Sequence, residues 1–172
     1  MRQPLVSIVI PAFKGTYFFE ALSSAALQVA DFEIEIVVGD DSSGTEISSI
    51  VDRVKAISPH TIKYHKNAHR LGELENLKAC IKRSSGMFTK PLSDDDFLLE
   101  SCVQSQAELL NRNPSVAFVT SHRLTIDHNS QLIKNNGDAF KKVSDRDAKI
   151  TGASTLSILC KRALNFIGEP SC

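Results

Sequence analysis

Leu5-Val6-Ser7-Ile8-Val9-Ile10 is an almost unbroken aliphatic run that stops at Pro11. The run is short and rich in β-branched residues, which is typical of a strand buried on both faces of a parallel sheet. Such a strand needs neighbouring strands on its edges and covering elements above and below. This stretch therefore favours an α/β fold.

The residues that follow alternate between helical and strand patterns. Helical spacing of apolar residues predicts helices at 16–29, 46–57, 72–84 and 97–111, the second preceded by a capping box at 43–46. Further strands are predicted at 32–38, 61–64, 87–92 and 116–121. The order β-α-β-α-β-α-β-α-β predicts a mostly parallel sheet flanked by helices on both faces, a three-layer sandwich.

The C-terminal third is less regular. Residues 124–134 are compatible with a hairpin around Asp127-His128-Asn129-Ser130, and the polar residues 135–149 are predicted to be a mobile loop. Apolar residues at helical spacing then predict a last helix, namely Leu156, Leu159, Cys160 and Ala163.

Composition restricts the class of protein. The 172 residues suit one domain, 42% of them are hydrophobic, and the formal net charge is zero, so no broad basic surface for nucleic acid is expected. The four cysteines form no C-x-x-C pair, and no apolar run reaches the length of a membrane span. These features predict a cytoplasmic protein with reduced thiols.

Polar clusters follow four of the predicted strands, at residues 11–15, 39–43, 65–70 and 93–96. In an open α/β sheet, ligands bind at the carboxyl ends of the strands. All four clusters would lie at that edge. Their coincidence there predicts a ligand site.

The cluster Asp94-Asp95-Asp96 carries the sharpest chemistry. Adjacent carboxylates repel one another unless a cation lies nearby, and oxygen ligands suit Mg²⁺ or Mn²⁺, which would in turn attract a diphosphate. Simpler interpretations stay open at this point. The three residues could charge the N-terminus of a helix beginning near Phe97, and Asp40 with Asp41 could form an Asx turn.

Other polar residues in these clusters have ordinary interpretations too. Lys66 and Arg70 could be solvated charges. His65 and His69 lie at a strand end and in a loop, so they do not share the helical face that a metal pair at their spacing would need.

Three segments together resemble the opening signatures of family 2 glycosyltransferases, which are inverting enzymes with the Rossmann-like GT-A fold. The segments are residues 6–13, 35–43 and 92–96, and residues 67 and 71–76 resemble the family's segment before its third helix. The resemblance extends from Leu5 to Ser171. It implies a metal-assisted enzyme that uses a nucleotide-diphosphate sugar.

The resemblance also implies nucleotide-binding roles. Pro11, Ala12 and Phe13 match the loop that lies against the nucleobase and ribose. Asp40 matches the carboxylate that hydrogen-bonds the uracil edge where the donor is a uridine nucleotide. Arg70 lies in a loop that reaches the base or the phosphates.

The three carboxylates match the family's D-x-D-type motif. By resemblance, Asp94 faces the ribose or the diphosphate, Asp95 coordinates the metal, and Asp96 supports the metal site. A divalent ion there stabilises charge on the leaving diphosphate as a Lewis acid. An inverting enzyme further needs a general base for the acceptor hydroxyl.

Two departures from the family pattern stand out. Glu75 occupies a position before Asn76 where a basic residue is frequent. The family's catalytic base lies in an acidic motif beyond the strand that residues 167–171 resemble, and Glu169 lacks the surroundings of that motif. We therefore expect residues 1–172 to be a single nucleotide-sugar-binding domain, truncated before the acceptor region, with the base beyond Cys172.

The expected activity is transfer of a hexose or N-acetylhexosamine from a donor such as a UDP-sugar to a glycan or lipid-linked acceptor, as in polysaccharide biosynthesis. Peripheral association of the full-length enzyme with the inner face of the membrane and homo-oligomer formation stay open. Nucleic acid is not an expected partner.

Three alternatives compete with this interpretation. A non-catalytic nucleotide-sugar-binding domain of the same fold is compatible with the missing base. A sugar-phosphate nucleotidyltransferase would need a Gly-rich basic loop, which Pro11-Ala12-Phe13-Lys14-Gly15 is not. A receiver domain would place an aspartate after the third strand, where His65-Lys66-Asn67 stand instead.

Overall fold

The computed structural model describes residues 5–133 and 146–162. Its sheet has four strands, all parallel, in the order β3-β2-β1-β4. The strands are β1 (Val6–Ala12), β2 (Ile34–Asp40), β3 (Thr61–Lys66) and β4 (Phe88–Pro91). Every residue of the two central strands is buried, as the aliphatic run predicts for a strand covered on both faces.

Five helices are described: α1 (Phe18–Ala26), α2 (Glu46–Lys55), α3 (Glu73–Arg83), α4 (Cys102–Arg112) and α5 (Gly152–Arg162). One face of the sheet packs against apolar residues of α1, α2 and α4 in the larger core cluster. The other face packs against α3, where Val9 and Val37 contact Cys80 and Leu77. The predicted α/β sandwich with helices on both faces is therefore confirmed.

The strand predicted at 116–121 is wrong. These residues form neither helix nor strand, and Phe118 is half exposed. Val116 and Val119 have high strand propensity, but a strand forms only where a neighbouring strand takes up its N–H and C=O groups. Within the described part of the chain, no strand pairs with this segment.

One predicted helix start and one predicted cap are also wrong. Helix α4 begins at Cys102 rather than near Phe97, because Leu98 is buried between exposed Phe97 and Leu99 and gives no helical stripe. Helix α2 begins at Glu46 as predicted, but its N-cap residue, Thr45, makes no side-chain capping bond, so the predicted capping box does not form.

The tail agrees in part with its prediction. Asp127 and Ser130 form a turn closed by the Ser130 N–H and the Asp127 carbonyl, and Ile126 and Leu132 form one antiparallel bridge. Helix α5 contains three of the four residues that predicted it, and the fourth, Ala163, lies outside the described residues. Residue 134 of the predicted hairpin and most of the predicted loop at 135–149 also lie outside them. None of the helices within 5–133 and 146–162 is both long and apolar enough to cross a membrane.

Candidate functional site

The loops after all four strands lie at one edge of the sheet because the strands are parallel. The structure joins these loops directly. The loop after β1 contacts the segment after β4 through Asp94, and it contacts the segment after β3 through Arg70. The loop after β2 contacts the segment after β3 through Asp41. The polar clusters that the sequence places at separate strand ends thus form one continuous site.

Asp94 holds the loop after β1. One of its carboxylate oxygens, Oδ2, accepts the backbone N–H of Phe13 at 2.7 Å and that of Lys14 at 2.9 Å. Two consecutive N–H groups pointing at one anion form the kind of concavity that binds carboxylate or phosphate oxygens. Because α4 begins only at Cys102, the alternative role of Asp94–Asp96 at a helix N-terminus is wrong.

Phe13 presents the accessible part of the first loop. This residue is 39% exposed, whereas Pro11 and Ala12 are buried within β1, paired with Gly39 and Asp40 of β2. The guanidinium carbon of Arg70 lies 4.1 Å from the centroid of the Phe13 ring, a cation–π contact. Arg70 is therefore ordered over Phe13.

Asp40 lies inside the protein rather than on its surface. It is completely buried, with Oδ1 accepting the Ser42 N–H at 2.8 Å in an Asx turn and Oδ2 accepting the Tyr64 hydroxyl at 2.6 Å. Burial raises the pKa of this carboxyl, but hydrogen bonds from Tyr64, Ser42 and Lys66 outweigh it and hold the pKa below its ordinary value. The expected contact of Asp40 with a uracil edge stays a prediction.

Lys66 is tied to the loop after β2, so it is not merely a solvated charge. Its Nζ lies 3.0 Å from Asp40 Oδ2, and it also contacts the carbonyl and hydroxyl oxygens of Ser42 and the carbonyl of Gly44 at 3.0 Å. Burial and the Asp40 carboxylate, which accepts the Tyr64 hydroxyl, together raise the pKa of Tyr64 to about 12. The contacts of Lys66 with Asp40, Ser42 and Gly44 hold the loop after β2 in one conformation.

Asp41 joins β2 to the start of α3, a role that the sequence did not identify. Its carboxylate accepts the backbone N–H groups of Leu71 and Gly72 and the side-chain amide of Asn67 at 2.7 Å. Asn67 also donates to Asn76, whose own amide donates to the Gly39 carbonyl. The sequence does contain a sign of this role, because two adjacent carboxylates lie at the end of β2 and the asparagines Asn67 and Asn76 lie before and within α3. Buried polar side chains require hydrogen-bond partners, so residues of these types are expected to pair.

Asp95 and Asp96 are exposed at the same edge. The pKa of Asp95 is raised, first because the protein displaces part of its water and then because Asp96 and Asp94 are negatively charged. A divalent cation would relieve this repulsion, and carboxylate oxygens are ligands that Mg²⁺ and Mn²⁺ accept.

A metal at Asp95 and Asp96 would need further ligands. Among the residues at 5–133 and 146–162, no three or more His, Cys, Asp or Glu side chains are grouped so that they could hold a metal ion by themselves. Mg²⁺ is commonly bound by one or two carboxylates together with substrate phosphates and water. The residues present therefore fit a metal that binds together with a diphosphate. Glu169, the acidic residue nearest the predicted base region, lies outside the described residues.

Comparison with known families agrees with this geometry. The family model described as "Glycosyl transferase family 2" matches residues 7–165. The chain is 26% identical over 134 residues to a chondroitin synthase of Escherichia coli, covering 78% of this chain and 19% of that protein. It is 26% identical over 154 residues to a GalNAc(5)-diNAcBac-PP-undecaprenol β-1,3-glucosyltransferase of Campylobacter jejuni, covering 86% of this chain and 46% of that protein. The chain thus spans less than half the length of these relatives.

The fold also resembles that of a solved structure. Residues 1–349 of S. aureus TarS superpose with a TM-score of 0.57 at 21% identity, covering 68% of this chain and 38% of that one. TarS 1–349 has also been solved in complex with UDP-GlcNAc, and that structure has a TM-score of 0.56 at 23% identity, covering 63% of this chain and 32% of that one. At this level of identity the likeness shows a shared GT-A fold.

Proposed function

The chain belongs to glycosyl transferase family 2, and on this premise we propose that it binds the nucleotide-diphosphate sugar donor of a glycosyltransferase, namely a UDP-sugar. One observation carries the proposal. The loop at Phe13, the Arg70 guanidinium and the carboxylates at 94–96 meet at the carboxyl edge of a parallel sheet. An aromatic face, a cation and metal-binding oxygens together match a nucleoside, its phosphates and a bridging metal.

The choice of a uridine donor rests on relatives. An E. coli relative, 25% identical over 130 residues, is named for the transfer of glucose from UDP-glucose to a GlcNAc-diphosphoundecaprenol acceptor. TarS has been solved with UDP and with UDP-GlcNAc. Since sequence similarity and shared fold both include proteins of this donor class, we propose a UDP-sugar, with a glycan or lipid-linked acceptor.

The proposed site residues follow the loops. Phe13, supported by Pro11 and Ala12, and Arg70 would form the nucleoside part, with Asp40 and Asp94 setting the shape of the adjoining loops. Asp95 and Asp96 would hold Mg²⁺ or Mn²⁺. When bound, the metal neutralises charge that develops on the diphosphate oxygens as the glycosyl bond breaks.

The proposed chemistry is an inverting displacement. The acceptor hydroxyl attacks the anomeric carbon on the face opposite the diphosphate, the bond to the diphosphate oxygen breaks, and a general base removes the hydroxyl proton. The described residues contribute donor binding and orientation to this step. Positioning of this kind lowers the barrier because the donor no longer has to find its reactive orientation.

Isothermal titration calorimetry would test the proposal. UDP is titrated into the chain in the presence of Mn²⁺ and again with EDTA, with GDP and ADP as controls. We expect binding that prefers UDP and that weakens when EDTA removes the metal. Equal affinity for all three nucleotides would contradict the uridine assignment, and heat signals absent for every nucleotide would contradict the site itself.

A further inference from the structure

We infer that Asp94 is a positioning residue: it serves the proposed nucleotide site by holding the Phe13–Lys14 loop in its binding conformation rather than by presenting charge to the ligand. This inference rests on the proposed function and specifies how one residue contributes to it. The observation behind it is that a single oxygen, Oδ2, accepts two consecutive backbone N–H groups of a loop distant in sequence.

The two hydrogen bonds fix the loop where it leaves the sheet. Their N···O distances are 2.7 Å and 2.9 Å, and hydrogen bonds to an ionised acceptor are about twice as strong as neutral ones. β1 ends at Ala12, so Phe13 is the first residue without a strand partner. Without Asp94, the Phe13 and Lys14 N–H groups would lose the acceptor that sets the path of the loop.

The effect of Asp94 extends through Phe13 to Arg70. The Phe13 ring lies under the Arg70 guanidinium at 4.1 Å, and Arg70 belongs to the segment after β3. A change in the Phe13 backbone would move the surface on which Arg70 rests. Asp94 therefore connects the loop segments after β1, β3 and β4.

The neighbouring carboxylate has different surroundings. Asp95 is exposed and lies within the electrostatic field of Asp94 and Asp96, whereas Asp94 is partly buried against the loop it holds. We assign the positioning role to Asp94 and leave metal binding to Asp95 and Asp96. The two roles predict different behaviour for the same type of substitution.

Substitution by asparagine separates positioning from charge. Asp94→Asn keeps a carbonyl oxygen that can accept both N–H groups, whereas Asp94→Ala removes the acceptor. In UDP titrations with EDTA present, we expect Asp94→Asn to bind within about threefold of the parent and Asp94→Ala to bind about tenfold or more weakly. Asp31→Asn, the matched control, removes an exposed carboxylate just before β2, at the opposite edge of the sheet from the site, and should bind UDP as the parent does.

A second measurement reports on the loop without any ligand. The chain has no tryptophan, so Phe13→Trp introduces a single indole at the loop itself. In that background we expect Asp94→Ala to increase acrylamide quenching and lower the fluorescence anisotropy, while Asp94→Asn leaves both near the parent values. Thermal unfolding followed by circular dichroism would verify that all variants are folded.

The outcomes separate this inference from the proposed function. If the parent binds no nucleotide, the proposed function fails and the fluorescence measurement alone decides the role of Asp94. If Asp94→Asn loses as much affinity as Asp94→Ala, the negative charge contacts the ligand and the inference is overturned. Unchanged quenching in Asp94→Ala would overturn it independently.

Discussion

Gly39 is the residue at which β2 passes closest to α3. A Cβ added there would overlap the Asn76 side-chain oxygen and lie 2.6 Å from the Cys80 sulfur. Neither neighbour can move freely, because Asn76 is buried and bonded to the Gly39 carbonyl and to Asn67. The absence of a side chain at Gly39 thus permits the hydrogen-bond network that holds Asp41 at the site.

We expect Gly39→Ala to lower the free energy of unfolding by about 1–3 kcal/mol, the usual range for overpacking a close-packed interior. Urea denaturation would measure it. Gly44→Ala is the matched control, since the nearest atom to its added Cβ is 4.0 Å away, and its effect should be smaller. Equal losses for the two variants would show that the contact with Asn76 and Cys80 is unimportant.

Glu35 is a buried carboxylate at the opposite end of β2 from the site. Oε1 accepts the Ser7 hydroxyl at 2.6 Å, and Oε2 lies 2.6 Å from Lys63 Nζ and accepts the Ser85 hydroxyl at 2.8 Å. Burial raises the pKa of this carboxyl, but the bonds from Lys63, Ser7 and Ser85 prevail and lower it from 4.5 to about 2. Glu35 thereby links β1, β2, β3 and the connection from α3 to β4.

The depressed pKa of Glu35 gives a pH-dependent contribution to stability. Because the folded pKa lies below the unfolded one, the contribution is complete above pH 4.5 and disappears as the pH falls towards about 2. Glu35→Gln should cost about 1–3 kcal/mol at pH 7, since charge-assisted bonds are weakened, and the deficit should narrow in acid. Denaturant titrations of both proteins between pH 2 and 7 would measure it; a deficit constant over this range would contradict the assignment.

At the scale of elements, Gln28 joins helix α1 to helix α4. Its buried side-chain amide donates to the Ser24 carbonyl at 3.1 Å and the Leu99 carbonyl at 2.9 Å, and its carbonyl accepts the Val103 N–H at 3.1 Å. Val103 lies in the first turn of α4, where N–H groups lack partners within the helix. The side chain of a residue just beyond the end of α1 thus accepts a hydrogen bond that a local N-cap would otherwise accept, and it holds the segment that follows Asp94–Asp96.

Gln28→Met keeps the volume but removes all three hydrogen bonds. We expect a loss of about 2–3 kcal/mol in unfolding free energy, because the buried Val103 N–H loses its acceptor and the Leu99 carbonyl keeps only the Cys102 N–H. Gln106→Met applies the same chemical change on α4, where the side-chain amide donates to the hydroxyl of exposed Ser121, and it should change stability by about 0.5 kcal/mol or less. Chemical denaturation of the two variants side by side would measure the two losses. Similar losses would show that the hydrogen bonds of Gln28 between α1 and α4 are unimportant for stability.

The elements that the sequence predicted well are those with their own hydrophobic pattern. β1, β2 and α2 each carry an unambiguous apolar run or stripe, and the apolar residues within these elements are buried. Ile57, the last residue of the predicted helix, is the exception, because it lies beyond the end of α2 and is exposed. The errors arise where tertiary contacts decide. The start of α4 depends on Gln28, distant in sequence, and the segment 116–121 has strand propensity without a strand to pair with.

The candidate site was predictable in position but not in its internal contacts. Parallel topology alone places the polar clusters at one edge of the sheet. It does not reveal that Asp40 is buried by Tyr64 or that Asp94 faces the Phe13 backbone. Such pairings depend on side-chain direction across strands far apart in sequence, which periodicity does not encode.

At the scale of the whole molecule, ligand binding and folding are linked. A ligand that binds only the folded chain raises its unfolding free energy, by about 2.7 kcal/mol at a concentration 100 times its dissociation constant. The four loops of the site are anchored to all four strands, so occupancy should stabilise the entire sheet rather than one segment.

We therefore expect UDP with Mn²⁺ to raise the melting temperature of the parent by roughly 5–10 °C at such a concentration, from the usual entropy of unfolding at this chain size. Asp95→Ala should melt near the parent temperature without ligand, because Asp95 is exposed, and it should lose the part of the shift that requires Mn²⁺. Differential scanning calorimetry with UDP alone, Mn²⁺ alone and both together would measure the increment. A variant that keeps the full Mn²⁺-dependent shift would show that Asp95 does not hold the metal, whereas a variant that melts far below the parent without ligand would show that Asp95 supports the fold.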